Sequence, residues 1–302
     1  MPSSLTSRPY AGAADLRRMQ AAVSHAYRIT SLRVGDLAWL TRYHTHRELA
    51  LDIRLWEDTA GQVVGWTFFR AKGGFNVFVA PGCADDALLD GMLSVIHDAA
   101  RASVAAGDAP ASLYTYGVDV LRSAEDRLLA VALERHGFTA VVATGGVLTR
   151  SLDQLPDLVI PDGYRLGWVQ AREHVIGRVE VHRAAFAPSD LTVAQYERVR
   201  RTWPYQAVLD RVVLDEGGVV VAACTAWLDE EQAAGLLEPV GTHPAHQRRG
   251  LARVVCADAL RALRAAGART AQVGFGSDAG HATYRSLGFE PSATDTVFRR
   301  LP

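Results

Sequence analysis

The clearest amphipathic pattern lies near the end of the chain. In RGLARVVCADALRALRAAGA, Leu251, Val254, Val255, Ala259, Leu260 and Leu263 fall mainly on one face of a helix. A comparable helix is predicted from DDALLDGMLSVIHDAARASVAAG in the first half. Ahead of each helix, alternation of period two is partial but β-branched residues are plentiful, which predicts strand pairs around glycine-containing turns. These are LALDIRLWEDTAGQVVGWTFFR and VLDRVVLDEGGVVVAACTAWL. After each long helix comes a shorter one ending in Gly-Phe, LLAVALERHGF and ATYRSLGF, where the glycine suits a left-handed C-cap and the phenylalanine begins a strand. Each half also opens alike: TSRPY then AGAADLRRMQAAV, and YRLGWV then AREHVIGRVEVHRAAF.

Both halves therefore read β, α, α, β, β, β, α, β, α, β. That order predicts an internal duplication, each copy a mixed α/β (α+β) sheet with helices on both faces. The proline-punctuated segment LDQLPDLVIPDGY (152–164) discourages continuous helix or central strand and is read as the linker. The expected domains are residues 1–154 and 163–302.

Composition narrows the class without naming a chemistry. The 302 residues are 49% apolar and 22% charged, which fits a soluble globular protein with ample core. A formal net charge of −1 gives no general reason to bind nucleic acid or an anionic membrane. Lys72 is the only lysine, a bias that points to GC-rich coding before it points to phosphate contacts. Cys83, Cys224 and Cys256 form no CxxC pair and no even framework, so a reduced, cytoplasmic setting is expected. The opening MPSSLTSRPY has no apolar segment of the signal-peptide kind, and GGVVVAACTAWL is too short to span a bilayer and reads as a buried strand.

The most informative stretch is HPAHQRRGLA, residues 243–252. It follows the apolar strand AGLLEPVGT (234–242), in which Pro239 cannot donate to a ladder and predicts an edge or a bulge. Gly250 permits close backbone approach at a helix start, where free N–H groups and the helix dipole favour an anion. Arg248 and Arg249 add positive charge. A surface loop with two solvated arginines reads the same ten residues equally well. Neither a P-loop nor a GxGxxG fingerprint is present.

The longer combination EPVGTHPAHQRRGLA…GFGSDAGHATYRSLGF resembles the acetyl-CoA-binding core of the GNAT acyltransferase superfamily. Gln247, Gly250 and Ala252 match its [Q/R]xxGx[G/A] loop. Tyr284, Gly288 and Phe289 match its later helix, with Ser277 where an asparagine often stands. The resemblance covers residues 163–302 as a complete module, with residues 1–154 similar to a degenerate second copy. It implies two tandem GNAT-like modules. It also implies that the backbone of Val240, Gly241 and Thr242 pairs with pantetheine, and that the amides of Arg248, Arg249, Gly250, Leu251 and Ala252 hold the pyrophosphate. A backbone amide near Val240 would polarise the thioester carbonyl, Tyr284 would be the general acid, and Ser277 would touch the cofactor. From the residues themselves, Glu238 is either a general base or one half of an ion pair with an arginine, Tyr284 is alternatively a core tyrosine, and Ser277 is a cap for the helix from 278 onward.

The first half lacks this chemistry. It reads APGCADDALLDG in place of the arginine-glycine loop and Leu133 in place of Tyr284, so no acetyl-CoA binding is expected there. It would instead shape the acceptor cleft or support the second half by packing. HTH at 44–46 reads as surface histidines before it reads as a metal site, and no metal is expected. His243 and His246 read as loop histidines or phosphate contacts. Trp203, Tyr205 and Trp227 read as core before pocket. Ser189 and Asp190 read as the N-cap region of LTVAQYERVRR.

The expected activity is transfer of acetyl from acetyl-CoA to a primary amine of a small molecule by direct attack, with no nucleic-acid or membrane partner. The alternatives are an acyl-CoA-binding regulatory or scaffold protein without turnover, and a transferase for a longer acyl donor.

Overall fold

The computed structural model describes residues 5–27, 30, 32–43, 49–70, 72–107, 112–118 and 123–301. The first half runs β1 (Thr6–Pro9), α1 (Ala13–His25), α2 (Val34–Tyr43), α3 (Leu49–Asp52), β2 (Ile53–Glu57), β3 (Val63–Phe69), β4 (Phe75–Val79), α4 (Asp86–Ala105), β5 (Leu113–Val118), α5 (Ala124–Arg135) and β6 (Thr139–Ser151). The second runs β7 (Tyr164–Trp168), α6 (Arg172–Ala185), α7 (Val193–Arg200), β8 (Asp210–Asp215), β9 (Val220–Asp229), β10 (Ala234–Thr242), α8 (Leu251–Ala265), β11 (Thr270–Phe275), α9 (Asp278–Ser286) and β12 (Glu290–Arg300). The order expected from the sequence recurs in both halves, so the fold is a tandem pair of mixed α/β modules. One element differs. LALD forms the helical turn α3 instead of starting a strand, leaving Leu51 exposed where continued alternation from Ile53 would have buried it.

The chain divides into two compact units, and not by a single cut. One holds residues 1–33, 44–144 and 293–302; the other holds 34–43 and 145–292. Helix α2 therefore leaves its own half and packs on α7, β9 and β10. The C-terminal end of β12 pairs antiparallel with β5, Asp295 opposite Val118 and Arg300 opposite Leu113.

In the first unit, β1–β2–β3–β4 form an antiparallel sheet. Phe69, Phe75, Leu89, Leu93, Ile96, Leu133 and Phe138 build the core that α4 and α5 share with it. In the second, the strand order is β6–β11–β10–β9–β8–β7, and β10 and β11 are a parallel pair. All ten residues of β9 are buried, the mark of a strand covered on both faces. Cys224, Ala226 and Leu228 meet the apolar face of α8, where Leu251, Val254, Val255, Ala259, Leu260 and Leu263 are buried as their spacing required. Ala223 and Trp227 face α6, α7 and α2. Each such buried Leu or Val contributes about 1.5–3 kcal/mol, so α8 is held firmly enough for its first turn to serve as a fixed platform.

Candidate active site

Strand β10 opens the site. It pairs with β11 only over Ala234, Gly235 and Leu236, opposite Thr270, Ala271 and Gln272, and from there the two parallel strands part. On its other side, β10 pairs with β9 throughout, but the register slips between Leu237 and Val240. Glu238 and Pro239 there oppose the single residue Thr225, so the proline sits at a bulge within the sheet, not at an edge. The Trp227 indole Nε1–H donates to the Glu238 carbonyl oxygen at 2.5 Å and pins the bulge.

Beyond the bulge the backbone has a free side. The His243 N–H donates to the Val221 carbonyl at 2.9 Å. Antiparallel alternation then turns Gly241 toward β9 as well, and turns the N–H groups of Val240 and Thr242 toward the gap. The Thr242 Oγ1 is buried without a hydrogen-bond partner. A gap lined by unpaired backbone N–H groups fits an extended, amide-bearing ligand arm, since unsatisfied buried polar groups are costly.

The loop that follows makes a second seat. Residues 244–246 form a short 3₁₀ turn started by His243, whose Nδ1 accepts the Ala245 N–H at 3.3 Å. Arg248 has φ +65° and Gly250 φ +78°. Gly250 is the N-cap of α8 and has no side chain to cap it, so the N–H groups of Leu251, Ala252 and Arg253 point outward with no acceptor. Gln247, Arg248, Arg249 and Gly250 are exposed. The Tyr164 hydroxyl on β7 accepts from Arg249 Nη1 at 2.8 Å and meets His246 Nδ1 at 3.1 Å, fixing one side of the loop.

Tyr284 projects from α9 and is buried at 8% exposure. Burial raises its phenol well above the ordinary tyrosine range, helped by Cys256, Cys224 and the half-buried Glu238. The phenol is thus protonated throughout the physiological range and can give a proton. Ser277 is the N-cap of α9, its hydroxyl accepting the Gly280 N–H at 3.2 Å. Cys224 and Cys256 are buried free thiols, and burial raises Cys224 far above the usual thiol range.

Across the bulge lies a buried polar network that the sequence did not announce. Asp210 is fully buried and accepts from the Thr225 hydroxyl at 2.9 Å, the Tyr205 hydroxyl at 3.0 Å and the Tyr196 hydroxyl. Arg178, 2% exposed, donates to Thr225 Oγ1 at 3.1 Å and places Nε 3.5 Å from Asp210 Oδ1. Its members lie on α6, α7, β8 and β9, with Tyr205 in the segment between α7 and β8, and Thr225 is the residue opposite Glu238–Pro239. Helix α2 adds Trp39, whose ring lies 5.4 Å from that of His182, and Gly35, where any Cβ would overlap the Trp227 indole. Trp227 and Tyr205 pack edge to face at 6.2 Å, whereas Trp203 is partly exposed at 37%. The cap of α7 also differs from expectation. Thr192 forms a capping box with Gln195, and Ser189 bonds His182 instead. The histidines at 44 and 46 lie outside the described residues.

Residues 162–289 match the acetyltransferase (GNAT) family. The C-terminal module is a GNAT-family domain. Solved structures extend the likeness of the fold to both modules. A GCN5-related N-acetyltransferase from Sphaerobacter thermophilus shares 16% identity and a TM-score of 0.66, over 98% of this chain and 95% of its own. A tandem GNAT protein from the clavulanic acid biosynthesis pathway shares 16% identity and a TM-score of 0.63, over 99% and 98%. A GCN5-related N-acetyltransferase from Kribbella flavida shares 22% identity and a TM-score of 0.56, over 78% and 86%. No curated protein matches the sequence. GNAT enzymes are acyltransferases that use acyl-CoA, and the parted β10–β11 pair with the uncapped start of α8 fits such a ligand.

Among the described residues no cluster of histidine, cysteine, aspartate and glutamate could hold a metal, and no helix is long and apolar enough to cross a membrane.

Proposed function

We propose that this protein is an N-acetyltransferase whose residues 163–302 transfer acetyl from acetyl-CoA to a primary amine of a small molecule. Residues 1–154 are its non-catalytic partner module, apart from α2, which walls the acceptor side of the second unit. The observation that carries this reading is the conjunction, within one unit, of an opened parallel strand pair, an uncapped helix start and a buried protonated phenol.

In this reading the N–H groups of Val240 and Thr242 pair with the pantetheine arm, and Gly241 keeps the strand in register with β9. The outward amides of Leu251 and Ala252 take the pyrophosphate, with Arg248, Arg249 and Gln247 at its rim. The ligand supplies an activated thioester when bound. A backbone amide near Val240 polarises the thioester carbonyl as charge develops on its oxygen. Tyr284 delivers its phenolic proton to the departing sulfur. Glu238 accepts the amine's proton, directly or through water. Ser277 acts as the cap of α9, with its hydroxyl oriented by that bond. The soluble cytoplasm is the setting that the free cysteines favour.

The test is paired. Calorimetric titration of the full chain with acetyl-CoA should give one site, and Tyr284→Phe should bind as tightly as wild type while losing turnover against a panel of small amines. Wild-type protein that binds acetyl-CoA yet acetylates no amine in the panel would favour an acyl-CoA-binding scaffold. Tighter binding of longer acyl-CoAs would favour a different donor.

A further inference from the structure

The last turns of α4 carry His97 and Arg101. His97 and Arg101 on α4, Arg135 and His136 at the end of α5, and Arg300 on β12 line a solvent-open cavity of about 490 Å³, together with Ser94 and Gly137. That volume is in the range of small-molecule sites, and no carboxylate lines it. Arg101 pairs with Asp98, and Arg135 pairs with Asp86 and Asp90, at carboxylates set back from the cavity.

Arg300 differs from these two. Its Nη1 donates to the His136 carbonyl oxygen at 3.0 Å and lies 3.4 and 3.3 Å from the two ring nitrogens of His97. No carboxylate stands within ion-pair distance of it among the described residues. The His97 and His136 rings stack at 5.4 Å, and His136 Nε2 meets Asp90 at 3.1 Å. Burial first, then the Arg300 charge, with smaller effects from His136 and Arg101 opposed by Asp98, hold His97 down to about 4. At neutral pH it is therefore uncharged and leaves the guanidinium uncompensated. A guanidinium with only neutral partners keeps its charge and its remaining N–H donors, and Arg101 and Arg135 have N–H donors to spare.

We propose that this cavity in the first unit binds a phosphate group, with Arg300 as its charged anchor. The planar guanidinium fork matches phosphate oxygens two at a time. A phosphate dianion would offset the Arg300 charge at His97 and so raise the proton affinity of the imidazole. The inference is independent of the acetyl-CoA reading, because every lining residue belongs to the first unit.

The experiment follows the imidazole resonances of the full chain by NMR while inorganic phosphate, a sugar phosphate and malonate are titrated in. A saturable shift at His97, with its titration midpoint moving upward from about 4, is the expected result. Arg300→Gln should weaken it about tenfold or more, as loss of a charge-assisted bond requires. Ser94→Asp places a carboxylate in the cavity from an exposed helix position and should do the same. Unchanged circular dichroism and an unchanged unfolding temperature in both variants would show that the chain is intact. Tighter binding of the sugar phosphate would identify an ester ligand, and tighter binding of inorganic phosphate the free ion; both support the site. Absence of a saturable shift, a shift that survives both substitutions, or preference for malonate would overturn it.

Discussion

The first turns of α4 and α8 occupy the same place in the two modules and are built in opposite ways. At α4 the N-cap is Asp85, whose side chain accepts the Leu88 N–H at 2.8 Å, with Asp86 next in line. In the loop before it, Glu125 accepts the Gly82 N–H at 2.8 Å. Carboxylates thus consume the amides and fill the positive end of the dipole. At α8 the N-cap is a glycine, and the first amides are left open beside two arginines. Ahead of α4, Gly74, just before β4, and Tyr114 of β5 form an isolated parallel bridge, whereas β10 and β11 pair over three residues before they part. The two helix starts therefore differ in a few side chains: one is capped by a carboxylate and the other has no side-chain cap. The same contrast recurs four residues before the Gly-Phe ending, where both side chains are buried but Leu133 is aliphatic and Tyr284 carries a phenol.

Four substitutions break or sharpen that comparison. Tyr284→Phe should have the largest effect, lowering turnover by about 10²–10⁴ as loss of a general acid does. Its acetyl-CoA affinity should hold, and equal turnover in the variant would remove the phenol from the chemistry. Next comes Gly250→Glu, which sets a carboxylate at the open helix start and a large residue at φ +78°; calorimetry should then detect no acetyl-CoA binding. Gly250→Asn, which tolerates that φ, should retain it, and loss of binding in both would mean that the carboxylate is not the cause. The mirror change, Asp85→Ala, should cost the first unit about 1 kcal/mol in denaturant unfolding and leave one acetyl-CoA site per chain. A second site appearing would show that the cap alone had closed the first module.

Gly35→Ala tests the donated helix. A Cβ there meets the Trp227 ring, so overpacking should cost about 1–3 kcal/mol and raise KM for the amine more than for acetyl-CoA. The reverse split would place α2 away from the acceptor.

The smallest effect concerns pH. His182 is held down to about 3 by burial and by Arg178, among Trp39, Phe186 and Ser189. Its folded value lies below its unfolded one, so the unfolded chain binds the extra proton first. The stability it contributes is present above about pH 6.5 and drains away as pH falls toward 3. His182→Gln should flatten stability against pH over that window, and an unchanged slope would assign the acid sensitivity to other groups.

Much of this was legible in the chain itself. Leu251 through Leu263 announced a helix with one buried face, because a period of 3.6 survives whatever packs against it. Gly250 announced the start of α8, because a glycine there takes the left-handed φ and leaves the first amides without a side-chain cap. Ser277 announced a cap, and Pro239 a break in a ladder. What stayed hidden depends on partners distant in sequence. Asp210, Thr225 and Arg178 are ordinary residues on three separate elements, and nothing local marks them as one network. The N-cap at Thr192 outcompeted Ser189 and Asp190 because Gln195 was in place to close the box and His182 was in place to take Ser189. Leu51 left the strand pattern its neighbours share.

The sequence by itself determined the repeat of elements, the asymmetry between Asp85 and Gly250, and the residue types available for acyl transfer, since each is set by local geometry and charge. Only the tertiary structure decided that β10 leaves β11 after Leu236, that Thr242 keeps a buried hydroxyl without a partner, and that α2 crosses from the first half of the chain to pack on Trp227. Those outcomes rest on which surfaces bury one another best, and no single segment contains that information.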